Sequence, residues 1–289
     1  MKRKSSMLFF LFLLPALALV MVFRYYPLFS AVYHSFTKWN VIESHFVGFQ
    51  NYSKLFNDDY FWVSFRNAFI YVAIRVLVIT FMSILGAELV FNIYNKRVSY
   101  FWRYIFVVPM VIPVSVTLLL WKFIFSPFGI LNQLLYSFNL SHITRAWLGD
   151  PKTALYAIAF IGFPFLSTAQ FLIILSALQN IDSSLIDSSK VDGATTLKRI
   201  LKIDLPIISD KILLVVILTF MWDFQSVQNF LILTQGGPGT STLVPGLYVY
   251  QAAFNFNRLG YSCTIGVIMT VLLLMIVIPL NSVLNRINR

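Results

Sequence analysis

Arg75 and Asp223 are charged residues inside long apolar stretches, and the residues around the second are regularly spaced. Thr219, Trp222, Asp223 and Ser226 fall at i, i+3, i+4 and i+7, which lines one face of a helix. Hydroxyls, a carboxylate and an indole on one face suit recognition by hydrogen bonding and ring stacking. Gln170, in another apolar run, adds an amide that both donates and accepts. Charges within such runs are costly and mark either a functional group or a neutralising pair, so an Arg75–Asp223 ion pair between two helices is a competing reading. Polar residues that only join helices are the competing reading for the stripe and for Gln170.

Bond-making chemistry has little to stand on. His34, His45 and His142 lack metal-ligand spacing, and no HExxH arrangement occurs. The one cysteine, Cys263, excludes a disulfide framework or a cysteine-rich metal site within the chain. Gly236-Gly237-Pro238-Gly239 is glycine-rich but lacks a following Lys-Ser or Lys-Thr, so it reads as a tight turn rather than a phosphate cradle. We expect no catalytic residue, no metal and no cofactor held by this chain.

The elements that position these residues follow from composition. With 58% hydrophobic and 11% charged residues, the chain departs from a soluble norm of about 45–50% and about 25%. Crossing a hydrocarbon layer of ~30 Å takes roughly 20 apolar residues as a helix. Six runs qualify, at about 7–27, 66–90, 101–125, 152–178, 211–233 and 259–283. They are continuously apolar rather than alternating, which favours helices over a barrel. The expectation is an all-α membrane protein with six transmembrane helices in one domain, 1–289. Lys2, Arg3 and Lys4 before an apolar run resemble a secretory signal, but the run continues beyond Ala16-Leu17-Ala18, so an uncleaved first span is expected.

Basic residues set the orientation, because Lys and Arg near span ends stay inside. Placing both termini in the cytoplasm gathers most of the 22 Lys and Arg on the inner face, and this topology accounts for the +11 net charge without nucleic acid. The longest inner segment is then the loop 179–210. Asp and Ser in "NIDSSLIDSSK" suit helix starts; "TTLKRILKI" puts Leu197, Ile200 and Leu201 on one face and Lys198, Arg199 and Lys202 on another. Gly193 supplies the backbone freedom for a sharp turn, and Asp192 or Thr195 can cap the second helix.

The wording of this loop adds to the physics. Asp187-Ser188-Ser189, Asp192-Gly193-Ala194 and Leu205-Pro206 resemble the loop signature of bacterial binding-protein-dependent ABC importers of type I, with Asp187 in place of Glu and the two serines in place of alanines. The outer stretches "FVGFQNYSKLFNDDYFWVSFRN", "FGILNQLL", "WLGDP" and "TQGGPGTSTLVPGLYVYQAAF" are similar to those of sugar-importer permeases. The resemblance implies the type I permease fold in the bacterial cytoplasmic membrane, partnered by a second homologous permease, two ATPase subunits and an extracytoplasmic solute-binding protein. It implies that ATP and Mg stay on the ATPases, which dock on Asp187, Ser188, Ser189, Asp192, Gly193 and Ala194. A sugar or oligosaccharide would cross by alternating access, held by Thr219, Trp222, Asp223, Ser226, Gln170 and Arg75. Glycerol phosphate or an acidic sugar is the alternative that Arg75 invites, and an integral-membrane enzyme or scaffold is the remote one.

Overall fold

A computed structural model describes residues 12–164 and 167–287; Lys2, Arg3, Lys4, residues 7–11 of the first expected span, and Arg289 lie outside them. Helix α1 (Phe12–His34) carries a π-helical turn at Met21–Tyr25 and leads to strands β1 (Thr37–Trp39) and β2 (Ser44–Phe46), an antiparallel hairpin pairing Thr37 with Phe46. Then come α2 (Gln50–Phe56) and the 33-residue α3 (Asp59–Phe91). Helix α4 (Lys96–Val107), capped by the Asn95 side chain on Arg97 N at 2.9 Å, runs through a 3₁₀ turn towards α5 (Val114–Ile124). Short helices α6 (Ile130–Ser137) and α7 (Ala154–Ala159) precede α8 (Thr168–Gln179), α9 (Ser183–Val191) and α10 (Thr196–Arg199), the last continuing through a π turn and Leu205–Ile207. The chain closes with α11 (Ser209–Phe224), α12 (Gln228–Leu233), α13 (Pro245–Tyr250) and α14 (Leu259–Ile287).

Among the described residues three helices are long and apolar enough to cross a membrane by themselves: Phe12–His34, Asp59–Phe91 and Leu259–Arg286. They answer to the first, second and sixth expected runs. The α1 window has none of its residues buried, as expected of a helix whose apolar surface faces lipid or a partner.

The other three runs are broken where continuous helices were expected. Run 101–125 bends by 95° at Pro113, whose ring pushes Ile112 to φ −76°, ψ 127°. Run 152–178 unwinds around Gly162, at φ +90°, and Pro164. Run 211–233 ends its first helix at Phe224; those 16 residues reach only about 24 Å at 1.5 Å each. Residues such as Ile112 and Phe163 are apolar, so hydropathy runs straight across the breaks.

The chain forms two compact units. The first, residues 1–62 and 248–272, is knit by polar contacts: Asn51 Nδ2 donates to Ser35 O (3.0 Å) and Thr37 O (2.9 Å), and Thr264 Oγ1 to Ser35 O at 3.0 Å. The second, residues 63–247 and 273–289, centres on an apolar core of Ala87, Val90, Phe171, Ile174, Leu178 and Val215. That core packs α3, α8 and α11 together, the helices that carry Arg75, Gln170 and Asp223.

Candidate functional site

In the second unit, α3 and α11 bring Arg75 and Asp223 together, with Arg75 Nε 3.4 Å from Asp223 Oδ2. Arg75 Nη1 also donates to Ile161 O at 2.8 Å, a carbonyl freed because α7 ends at Ala159. One turn before Arg75, the Tyr71 hydroxyl donates to Asp223 Oδ1 at 3.2 Å, and Asn229 Nδ2 donates to the Tyr71 oxygen at 3.0 Å. Both carboxylate oxygens are thus engaged. The side chains of Arg75 and Asp223 are only 18% and 11% exposed, so the pair neutralises charges that neither could carry alone there. Tyr71, Asn229 and the Ile161 carbonyl were not anticipated; the i, i+4 spacing of Tyr71 and Arg75 was the available signal.

The expected single-face stripe divides. Thr219 and Gln170 are buried and face each other across α11 and α8, Gln170 Nε2 to Thr219 Oγ1 at 3.3 Å, and Ser167 donates to Gln170 Oε1. They occupy the seam between two helices. Trp222, next to Asp223 in sequence, is 56% exposed and outside the seam. Ser226 lies past the end of α11, in the unwound link to α12, so it shares no helical face with Thr219. A further exposed polar pair near this break was not foreseen, Gln228 Nε2 to Ser115 Oγ at 3.0 Å.

The turn at Gly236–Gly239 is built as expected from small residues, with Thr242 Oγ1 donating to Gly237 O at 2.8 Å. Asn67 of α3 secures it, donating to Thr240 O and Leu243 O, both at 2.9 Å.

The loop 179–210 forms two helices around a tight turn. Asp182 caps α9, accepting from Ser184 N at 2.9 Å, and this backbone N–H holds its carboxyl below the usual carboxylate range. Asp187 is exposed and reaches Lys190 at 2.8 Å; Ser188 is exposed, whereas Ser189 is buried against Ile186 O at 2.7 Å. Asp192 closes the helix, Gly193 takes φ +71°, and Ala194 N returns to Ser189 O at 3.0 Å. Thr195 then caps α10 through Lys198 N at 3.3 Å.

One expectation for this loop is corrected. Arg199 does not belong to a basic outer face: it is 8% exposed, bonded to Asp204 Oδ2 at 2.9 Å and to Asn92 Oδ1 at 2.5 Å. Leu197 and Leu201 point outward instead, at 66% and 58% exposure. The buried carboxylate of Asp204 turns the helix over, because its desolvation is offset only by the guanidinium. The knob is thereby tied to the C-terminal end of α3, with Asp187, Asp192, Leu197 and Leu201 left outward beside the exposed Lys198 and Lys202.

Comparison with known proteins gives this geometry its family. Residues 79–289 match the family described as binding-protein-dependent transport system inner membrane component. The chain is 31% identical over 278 residues to the probable ABC transporter permease protein YurN of Bacillus subtilis (strain 168), covering 95% of this chain and 94% of that one. It is 31% identical over 278 residues to the lactose transport system permease protein LacF of Rhizobium radiobacter, covering 94% and 92%. Its fold matches a chain in the crystal structure of a bacterial alginate ABC transporter in complex with an alginate pentasaccharide-bound periplasmic protein, with a TM-score of 0.87 at 22% identity, over 99% of this chain and 96% of that one. With most of its length inside the family's bounds and its helices arranged as in an importer, the chain belongs to the binding-protein-dependent transport system inner membrane components: it is a multi-pass ABC transporter permease subunit and not itself an enzyme.

Proposed function

We propose that this permease forms half of the membrane pathway of an ATP-driven importer for a neutral sugar or oligosaccharide. The observation that carries the reading is the Arg75–Asp223 pair beside an exposed Trp222: the charges are spent on each other, while the indole ring stays open to stack on a sugar's C–H face. A carboxylate-bearing substrate would need the Arg75 cation, which already holds Asp223 and the Ile161 carbonyl. The lactose system of the relative LacF fits a neutral sugar while the transporter that shares this chain's fold imports the acidic polysaccharide alginate, so the neutral assignment rests on the Arg75–Asp223 pair alone.

A second homologous permease completes the pathway, with six spans in each half and both termini in the cytoplasm. Two ATPase subunits, which carry ATP and Mg, dock on the loop centred on Asp187, Ser188, Ser189, Asp192, Gly193 and Ala194; an extracytoplasmic binding protein delivers the substrate. ATP-driven closure of the ATPases moves the docked knobs and turns the cavity outward, and hydrolysis resets it. Because the knob is fastened to α3 by Arg199, its displacement is passed to the helix that bears Arg75.

The test is uptake by the complete complex in proteoliposomes, offered neutral disaccharides and their uronate-bearing counterparts with the cognate binding protein. ATP-dependent accumulation of the neutral sugars is expected. Accumulation of the acidic sugars alone would overturn the neutral reading.

A further inference from the structure

Within the first unit, β1, α2 and the start of α14 enclose a cavity of about 340 Å³. Three long helices begin or end beside it: α1 ends at His34, α3 begins at Asp59 and α14 at Leu259. Their ends are held at one level. Gly260 lies so close to the hairpin that a Cβ there would stand 2.0 Å from Thr37 O and 3.1 Å from His34 O. Tyr261 donates to Asp58 at 2.5 Å, which draws the head of α14 to the residue that opens α3. The ends of α1 and α14 and the residue before α3 therefore meet beside the cavity.

The charged residues lining it are Lys38, Lys54 and Arg258, all basic and all exposed. None makes an ion pair among the described residues. Lys54 lies over the Tyr261 ring at 5.7 Å, and Trp39, stacked on His34 at 4.0 Å, forms another aromatic wall. Two neutral polar side chains of the lining are already committed: Asn40 Oδ1 accepts from Ile42 N and Glu43 N, and Asn51 donates to Ser35 O and Thr37 O. The nearby carboxylate of Asp58 is taken up by the hydroxyls of Tyr261 and Tyr248, and three basic side chains against this one acid leave a net positive potential that attracts an anion. On the outer side of the proposed topology they also run against the bias that gathers Lys and Arg inside, so their clustering calls for a local cause.

We propose that this cavity binds the phosphate headgroup of an anionic phospholipid. The phosphodiester oxygens are met by Lys54, Arg258 and Lys38; Trp39 and Tyr261 line the glycerol region, as aromatic side chains do at the membrane–water boundary. Phe29, Val32 and Tyr33, exposed on the last turns of α1, offer an apolar surface to the acyl chains. The exposed apolar surface of α1 and the aromatic lining favour a lipid-borne phosphate over a dissolved one.

The full importer complex is placed in nanodiscs of equal phosphatidylglycerol and phosphatidylcholine, and retained lipid is counted by native mass spectrometry. Wild type should retain phosphatidylglycerol preferentially, and the double variant Lys54→Gln, Arg258→Gln should lower that preference by about thirtyfold, two near-surface charges being removed. The charge-preserving variant Lys54→Arg, Arg258→Lys should keep it, which separates the charge effect from misfolding. Equal retention in wild type and the double glutamine variant would overturn the proposal. Displacement of the lipid by inorganic phosphate at millimolar concentration would reassign the cavity to a soluble anion. Unchanged lipid retention with loss of binding-protein affinity in phosphatidylcholine discs would reassign it to an acidic protein surface.

Discussion

Arg75 and Asp223 stand 148 residues apart in the chain and 3.4 Å apart in the fold, and each carries the charge that makes the other tolerable within the helix bundle. The pair locks α3 to the last turn of α11, one residue from the exposed Trp222. Removing one partner is therefore a different perturbation from removing both.

Arg75→Gln leaves a largely buried carboxylate with only the Tyr71 hydroxyl, a loss of about 3–5 kcal/mol by analogy with broken buried pairs. The yield and melting temperature of the purified complex should fall. The double change Arg75→Gln, Asp223→Asn removes both charges and should regain much of the loss, together with transport of a neutral sugar. A double variant as damaged as the single one would show that the pairing is not what Arg75 provides.

Gly193→Pro replaces a residue at φ +71° by one fixed near −65° and deletes the N–H that bonds Lys190 O. The permease should still reach the membrane, but the ATPase subunits should no longer co-purify with it. Asp187→Glu keeps the charge on an exposed side chain and should leave transport-linked ATP hydrolysis near wild type. Normal coupling in Gly193→Pro would remove this turn from the docking surface.

Arg199→Lys is not conservative here, because one guanidinium serves Asp204 and Asn92 in different directions. An ammonium can hold Asp204 but lets go of Asn92 on α3. Limited proteolysis should cut the loop faster in this variant, and stimulation of ATP hydrolysis by the loaded binding protein should drop severalfold while basal hydrolysis persists. Undiminished stimulation would mean that the link to α3 carries no coupling.

Gly260 and Gly266 offer a matched comparison in α14. A Cβ at 260 would overlap the Thr37 carbonyl, so Gly260→Ala forces a backbone shift costing about 1–3 kcal/mol. A Cβ at 266 meets nothing within 4 Å, so Gly266→Ala should be neutral or gain up to about 1 kcal/mol of helix propensity. Thermal melting in detergent distinguishes them, and equal melting would contradict the close packing of α14 on the hairpin.

Much of this was readable from residue types, and the failures have definite physical causes. Asp182 and Gly193 announced the cap and the turn because those residues solve backbone problems locally. A charge within an apolar run pointed to Arg75 and Asp223, since burial demands a partner. The breaks near Pro113 and after Phe224 were missed because hydropathy is blind to backbone direction where the linking residues are themselves apolar or mildly polar. Arg199 was misplaced for a related reason: Leu197, Lys198 and Leu201 look amphipathic either way up, and only Asp204, five residues on and fully buried, decides which side faces in. The division of Thr219 from Trp222 depended on α8 presenting Gln170 to Thr219 while Trp222 stays half-exposed, a tertiary fact absent from the spacing.

The most direct test of a saccharide pathway at Trp222 is Trp222→Ala in the reconstituted importer, with uptake, assembly and basal ATP hydrolysis measured on one preparation. The change removes a half-exposed ring but no charge and no hydrogen bond made in this structure among the described residues. The account predicts uptake reduced tenfold or more, roughly the worth of one aromatic stacking contact at about 1.5 kcal/mol, with assembly and basal hydrolysis intact. Normal uptake, or loss of the assembled complex with uptake per complex unchanged, would contradict it.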